Sequence, residues 1–473
     1  MSLTTVFERD TPSRAAIAHL LEGSQLDSFW VADAPGTRRP ALAQALRSDL
    51  VVVGGGYLGL WAALLAKRED PARRVVLLEA RRIGWAASGR NGGFCEASLT
   101  HGELNGMSRF PKEFDRLQQL GRENLDAIES TLAELSIDAE FERNGAFTVA
   151  VEPHQVEWAR EAAAEDGVEF FDQAAMRREI DSPTYLAGAL NRRDTALVHP
   201  AKLAAGLADA CEKLGVEIFE ESPAANLVTE SDGSVLLQVN GHVVSAGAVV
   251  LATNAFPSLL KRNRLMTVPV YDYVLMTEPL TDAQRDEIGW KGREGLADMG
   301  NQFHYYRLTS DNRILFGGYD AIYHYGRAVK PEHEDRRATF EKLAGHLLTT
   351  FPQLEGITAT HRWSGAIDAC SRFCAFYGVA RKGRVAYAAG FTGLGVGSTR
   401  FAARVLLDLL AGQKTELTEL EMVRRKPTPF PPEPLASVGI NLSRWALNRA
   451  DHNEGRRNIV QKTLDAVGLG FDS

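Results

Sequence analysis

Apolar and polar positions change period along the chain, and the changes divide it into elements. Residues 49–53, DLVVV, form a short apolar run that stops at three glycines. A run that is apolar on both faces predicts a buried parallel strand. YLGLWAALLAKRED follows with apolar residues at helical spacing, and Pro71 stands just past its end. RVVLLEA (74–80) predicts a second buried strand. The order strand, glycine turn, helix, strand is a βαβ unit.

Further on, 113–135 carries the stripe of a long amphipathic helix, 145–151 predicts a strand, and PHQVEWAREAAAED a helix. Residues 199–215 predict a helix followed by the strand VEIFEE, two short alternating runs and the apolar AGAVVLATNA (246–255). The region 256–384 alternates as strands do, in VPVYDYVLMTEPL and QFHYYRLTSDNRILFGGYD, with one helix near 332–350. RVAYAAG (384–390) predicts a strand that feeds a second glycine turn and the helix after it. KPTPFPPEPL (426–435) reads as a stiff proline linker, and the last 38 residues as polar helix. Residues 1–47, mixed and punctuated by proline, read as a leader wrapped on the surface.

Size and charge narrow the classes. A chain of 473 residues exceeds one simple core, which predicts two or more domains. The formal charge is −8 and no basic stripe or arm stands out, which argues against nucleic acid as a partner. The charged N-terminus is unlike a secretory signal, and no apolar run reaches the length of a spanning helix. Cys95, Cys211, Cys370 and Cys374 are too few and scattered for a disulfide framework, and the C-x3-C pair lacks further soft ligands nearby, so no metal site is expected. Free thiols in a reducing cytoplasm are the expectation.

Gly54-Gly55-Gly56-Tyr57-Leu58-Gly59 fits G-x-G-x-x-G. The first glycine permits the tight turn, the second lets backbone meet a pyrophosphate, and the third lets helix and strand pack closely. The helix N-terminus then offers free amides and partial positive charge. The match follows a buried strand, opens a helix, and has Glu79 at the end of the next strand, which is the context a dinucleotide site needs. Glu79 is expected to accept from ribose hydroxyls and to repel a 2′-phosphate.

That spacing does not separate NAD from FAD. The stretch RRIGWAASGRNGGFC after Glu79 does, because it supplies Ser88, Arg90, Asn91 and the free amides of Gly92 and Gly93. A second turn, Gly390-Phe391-Thr392-Gly393-Leu394-Gly395, opens the last core helix, whose N-terminus would stabilise negative charge on a reduced flavin. Two helix N-termini suit FAD better than NAD.

VVVGGGYLGL…LLEARRIGWAASGRNGGF, with VHPAKL, VVLATNA and AYAAGFTGLGVGST, resembles the D-amino-acid-oxidase-like FAD oxidoreductases, and SGRNGG with HYYRLTSDNRILFGG is most similar to gamma-glutamylputrescine oxidoreductase-like amine oxidases. The resemblance covers about residues 48–415. It implies an α/β, two-domain enzyme: a Rossmann-like FAD-binding domain from 48–110, 196–255 and 385–415, and a substrate domain with a mixed or antiparallel sheet from 111–195 and 256–384. An N-terminal extension (1–47) and a linker with helical tail (416–473) flank them.

It further implies that Gly54, Gly56 and Gly59 hold the pyrophosphate and that Glu79 and Arg81 flank the adenosine ribose. Ser88, Arg90, Asn91, Gly92 and Gly93 would line pyrophosphate and isoalloxazine. Ala224 falls where backbone pairs with adenine, Thr253 and Asn254 end a core strand near the cofactor, and Gly393, Leu394 and Gly395 would meet the ribityl chain and a flavin carbonyl. Monomeric sarcosine oxidases attach FAD to a cysteine in the segment aligned near Trp363-Ser364-Gly365, at the place where Gly365 falls here, which implies non-covalent FAD. They also carry a lysine on the strand matching RILFGG, where this chain has Ile314, Leu315 and Phe316.

The chemistry so implied is hydride transfer from the α carbon of a neutral amine to flavin N5, with hydrolysis of the imine and oxygen or a quinone as electron acceptor. The alternatives are an amino acid whose carboxylate Arg307 holds, and a non-catalytic flavoprotein. Pocket candidates are His304, Tyr306 and Arg307; strand alternation puts His304 and Tyr306 on one face, Tyr305 and Arg307 on the other, without saying which pair meets the flavin. For the C-terminal segment, packing on the body or on a second subunit is favoured over contact with a membrane surface.

Overall fold

The computed structural model describes residues 4–466. Two sheets organise them. In the first, Leu46–Val53 runs parallel to Val75–Leu78 on one side and to His242–Leu251 on the other. Glu217–Phe219 extends it beyond Val75–Leu78, and Val385–Ala389 lies parallel to the end of His242–Leu251. Ala224–Thr229, Val235–Val239 and Phe376–Ala380 add antiparallel margins.

Val51, Val52, Val75, Val76 and Leu77 are fully buried, because helices cover one face and further apolar residues the other. The covering helices are Tyr57–Glu69, Pro200–Lys213 and Gly395–Leu410, which pack on one another through Leu60, Trp61, Leu207 and Phe401. Register sets the site. Val53 stands opposite both Leu78 and Leu251, and Leu251 opposite Tyr387. The strands therefore end in line, and the first glycine turn, Glu79, Ala252–Asn254 and the second glycine turn share one edge. In such sheets the ligand crevice lies outside these carboxyl ends.

The second sheet is built around a long antiparallel pair, Thr267–Thr277 with Ala359–Cys370, continued by Ile314–Gly318, His304–Leu308 and Gly295–Asp298. One face packs on the helix Arg337–Thr350, burying Tyr271, Tyr273, Leu275, Tyr306 and Phe316 against Phe340 and its neighbours. The other face, with Val274, Met276, Leu315 and Trp363, turns toward the first sheet.

Three expectations about organisation change. The N-terminal extension is partly internal: Gln25–Leu26 joins the second sheet, and Phe29 and Trp30 are buried against Trp363 and Leu315. Phe376–Ala380, expected in the substrate domain, pairs with Val385–Ala389 in the first sheet. The strand Ala359–Cys370, whose sequence mixes glycine with polar residues, lies in the region expected to alternate but was not singled out within it. The C-terminal segment forms helices Leu435–Asp451 and Ile459–Ala466; residues 467–473 of that reading lie outside the described residues. Leu435, Val438, Leu442 and Trp445 are exposed on the first of these helices. Among the described residues no helix is long and apolar enough to cross a membrane.

Candidate active site

The first turn distributes its glycines by space. Gly54 has φ +114°, and a Cβ there would sit 2.4 Å from the Ala252 carbonyl oxygen. A Cβ on Gly59 would sit 1.9 Å from the Gly54 carbonyl oxygen, so this glycine seats the helix on the turn. Gly56 meets only the Ser88 side chain, at 2.9 Å. The Ser88 hydroxyl accepts from the Tyr57 N–H at 3.0 Å, so the loop after Glu79 reaches the N-terminus of the first helix. Glu79 is buried. Its carboxylate accepts from the amides of Gly55 (2.7 Å) and Arg81 (2.8 Å) and from the Trp85 indole (2.9 Å), while burial raises its pKa. Arg81 is exposed and lies over the Trp85 ring at 4.3 Å.

Asn91 organises the loop. Its side chain donates to the carbonyls of Ala87 and Ser88 and accepts from the Gly93 amide. Trp30 and Ser28 donate to the carbonyls of Asn91 and Gly89 from outside, which is why the N-terminal segment is internal. The paired glycines are required by neighbours: a Cβ on Gly92 would meet the Tyr305 ring at 2.6 Å, and one on Gly93 (φ +80°) the Val198 carbonyl at 2.3 Å. Arg90 spans the cleft, its guanidinium bonded to Glu334 (2.7 Å) and to the Ser364 carbonyl (3.1 Å). Trp363 on the second sheet donates in turn to the Arg90 carbonyl.

Opposite this loop, one patch of the second sheet is incompletely covered. Val270, Asp272, Gly365, Ile367 and Tyr305 are half-buried, whereas Val274, Met276, Leu315 and Trp363 on the same face are buried. Asp272 stands directly opposite Gly365, and a Cβ on Gly365 would meet the Arg90 Cβ at 3.6 Å, so carboxylate and loop share one side. Tyr305 donates to Asp272 from the same side. Burial pushes the Asp272 carboxyl up to about 6.

Alternation is resolved in favour of Tyr305 and Arg307. His304 and Tyr306, expected as pocket candidates, turn to the far face. His304 bonds Asp298 (2.6 Å) and His346 (2.8 Å), and Tyr306 bonds the Tyr185 hydroxyl (2.8 Å), all inside the layer beneath the helix Arg337–Thr350. They do not reach the cleft. Arg307 turns toward the loop but is buried, donating to the carbonyls of Val198 (2.7 Å) and Leu308. Desolvation lowers its pKa to about 10. Its guanidinium is committed to backbone and not presented to a ligand.

At the second turn Gly390 and Gly393 have φ +77° and +96°. The buried Asp368 carboxylate accepts from the amides of Gly390 and Phe391, and burial pushes it up to about 7. Leu394 is the N-cap of the helix, and a Cβ on Gly395 would meet nothing within 4 Å. Thr253 and Asn254 follow Leu251 at the same edge, with Asn254 at φ +48°. Ala224 lies two residues after Ser222, whose amide donates to the Glu79 carbonyl.

These residues fit a flavin dinucleotide. A Cβ on Gly395 would meet nothing within 4 Å, Gly56 is met only by the Ser88 side chain, two helix N-termini share one edge with Glu79, and the half-buried patch lies across from Arg90, which together suit such a cofactor. Residues 49–409 match the family described as FAD dependent oxidoreductase. The chain belongs to that family. It is an enzyme, and FAD is its cofactor. It is 32% identical over 390 residues to the gamma-glutamylputrescine oxidoreductase of Escherichia coli, covering 78% of this chain and 85% of that one. It is 29% identical over 400 residues to the probable oxidoreductase OrdL of Haemophilus influenzae, covering 81% and 87%. The fold is similar to that of glycine oxidase from Geobacillus kaustophilus, with TM-score 0.65, 21% identity and coverage of 80% of this chain and 99% of that one.

Sequence reasoning passed over Asp272, Glu334 and Asp368. For Asp272 a signal exists: a carboxylate interrupts the apolar run VPVYDYVLM, where a structural strand gains nothing from a charge.

Proposed function

We propose that this enzyme oxidises the C–N bond of a small amine, giving an imine that hydrolyses to aldehyde and ammonia or amine, with oxygen or a quinone as electron acceptor. The observation that carries the reading is the half-buried patch around Asp272 and Tyr305 facing the Arg90 loop. The patch combines apolar positions with a carboxylate and a phenol, which suits an alkylamine. Bound FAD supplies the hydride acceptor for the substrate's α carbon.

The chain's own residues have separate tasks in this reading. Gly54, Gly56, Gly59 and Ser88 receive the pyrophosphate, Glu79 and Arg81 the ribose, and Ala224 the adenine. Thr253, Asn254 and Gly393 to Gly395 take the ribityl chain and flavin edge. Arg90, Asn91, Gly92 and Gly93 back the ring, and the second sheet shuts out water from the other side. FAD is held without a covalent bond: Gly365 offers no thiol, and burial pushes Cys95 up to about 12, leaving little reactive thiolate. The alternative, an amino acid anchored through Arg307, loses support because that guanidinium already serves the Val198 carbonyl.

The test is aldehyde formation from a panel of primary amines, secondary amines and amino acids, run with oxygen and with a soluble quinone. Aldehyde from amines supports the reading. Turnover of amino acids alone, yielding keto or glyoxylic acids, would replace it.

A further inference from the structure

Among the charges at the cleft, Arg90 and Glu334 neutralise each other at 2.7 Å. Asp272 is different. Its oxygens accept from the Tyr305 hydroxyl and the Tyr273 amide at 2.9 Å, and among the described residues it makes no ion pair. The Gly318 amide also donates to it, and all of these partners are neutral, so a negative charge stays on the face opposite the loop. Two glycines make room for the arrangement. The Tyr305 ring lies against Gly92 of the loop, and its hydroxyl crosses Gly317 of the intervening strand, where a Cβ would sit 2.9 Å away. Tyr305 is thereby fixed in one orientation, and its donated hydrogen bond aims the carboxylate. Desolvating an anion without a cation is costly and is seldom retained for stability alone. A cationic ligand would remove the cost.

We propose that Asp272, positioned by Tyr305, is a specificity-determining residue that admits the cationic nitrogen of an alkylammonium substrate and excludes carboxylates. Alkylamines are protonated in neutral water, so the cleft meets them as cations. An amino-acid carboxylate would face Asp272 as a like charge, and such juxtapositions reject wrong ligands. This assignment rests on the amine reading above and refines it.

The experiment uses the FAD-loaded enzyme and two probes that share a tert-butyl group and differ in the sign of their charge. tert-Butylammonium has no hydrogen on its α carbon and cannot be oxidised; pivalate is its anionic counterpart. Binding is followed by calorimetry and by the perturbation of the flavin spectrum. We expect tert-butylammonium to bind about tenfold or more tightly than pivalate. Asp272→Asn should weaken tert-butylammonium about tenfold while Asp272→Glu retains most of the affinity, and Tyr305→Phe should fall between. Flavin absorbance of each variant confirms that it is folded and loaded. Should Asp272→Asn lose FAD, the ranking of the probes on the unmodified enzyme and the Tyr305→Phe value still decide. Equal or tighter binding of pivalate, or unchanged affinity in Asp272→Asn, overturns the assignment. Because neither probe reacts, the result is separate from the substrate panel: Asp272-dependent binding without turnover of any amine would refute the amine reading and leave the cation site standing.

Discussion

The Tyr305 hydroxyl reaches the Asp272 carboxylate across Gly317, the residue of the strand between them. A side chain at 317 would stand where the phenol now lies. Gly317→Ala should therefore displace Tyr305, cost about 1–3 kcal/mol through overpacking and lower kcat/KM for the amine. Thermal unfolding and kinetics check both. Full activity with an unchanged melting temperature would mean that the pair is not needed.

The glycines of the first turn should separate by role. Gly56→Val fills space beside Ser88 and should abolish FAD retention while the apoprotein stays folded. Gly59→Ala drives a Cβ into the Gly54 carbonyl, a backbone atom that cannot swing aside, and should cost about 3 kcal/mol along with the cofactor. Circular dichroism and flavin content distinguish the two. In the unmodified enzyme, acid precipitation should leave all FAD in the supernatant.

Arg307→Ala tests whether the buried guanidinium is structural. Losing its charged hydrogen bond to the Val198 carbonyl should lower stability by about 2 kcal/mol. Affinity for tert-butylammonium and the relative turnover of amines and amino acids should stay the same. A selective rise of KM for amino acids would restore Arg307 as a carboxylate ligand.

The first sheet was legible because a strand buried on both faces is a continuous apolar run, and because glycine spacing encodes close backbone approaches such as Gly59 on Gly54. The strand Ala359–Cys370 was not legible. Its glycine lies against the Arg90 loop, while its histidine and arginine meet Phe29 and Ser24 of the N-terminal segment, so these positions are set by distant chain and not by a core that periodicity would reveal. His304 and Tyr306 illustrate the limit of alternation: it pairs residues correctly but cannot say which face meets a covering helix and which meets the loop of the other sheet. Asp272, passed over between Tyr271 and Tyr273, carried its signal in being charged where both neighbours are core.

Asp368 gives a pH dependence with a defined sign. Its folded pKa, about 7, lies above the unfolded value near 4, so the folded state binds the proton more tightly. The stability it contributes is complete below about pH 4 and is lost as pH rises through 7. Asp368→Asn carries no such proton. The stability of the unmodified protein relative to Asp368→Asn should fall between pH 4 and 8, measured by denaturant unfolding at each pH. A difference independent of pH would show that Asp368 keeps an ordinary pKa.

The most direct measurement is a single turnover without oxygen. The FAD-loaded enzyme is mixed with a primary alkylamine, the flavin band at roughly 450 nm is followed, and aldehyde is quantified after quenching. We expect the band to bleach fully, with one aldehyde formed per flavin reduced, and much more slowly in Asp272→Asn. A flavin that stays oxidised with every amine, yet bleaches with an amino acid, would contradict the assignment of this cleft to amines.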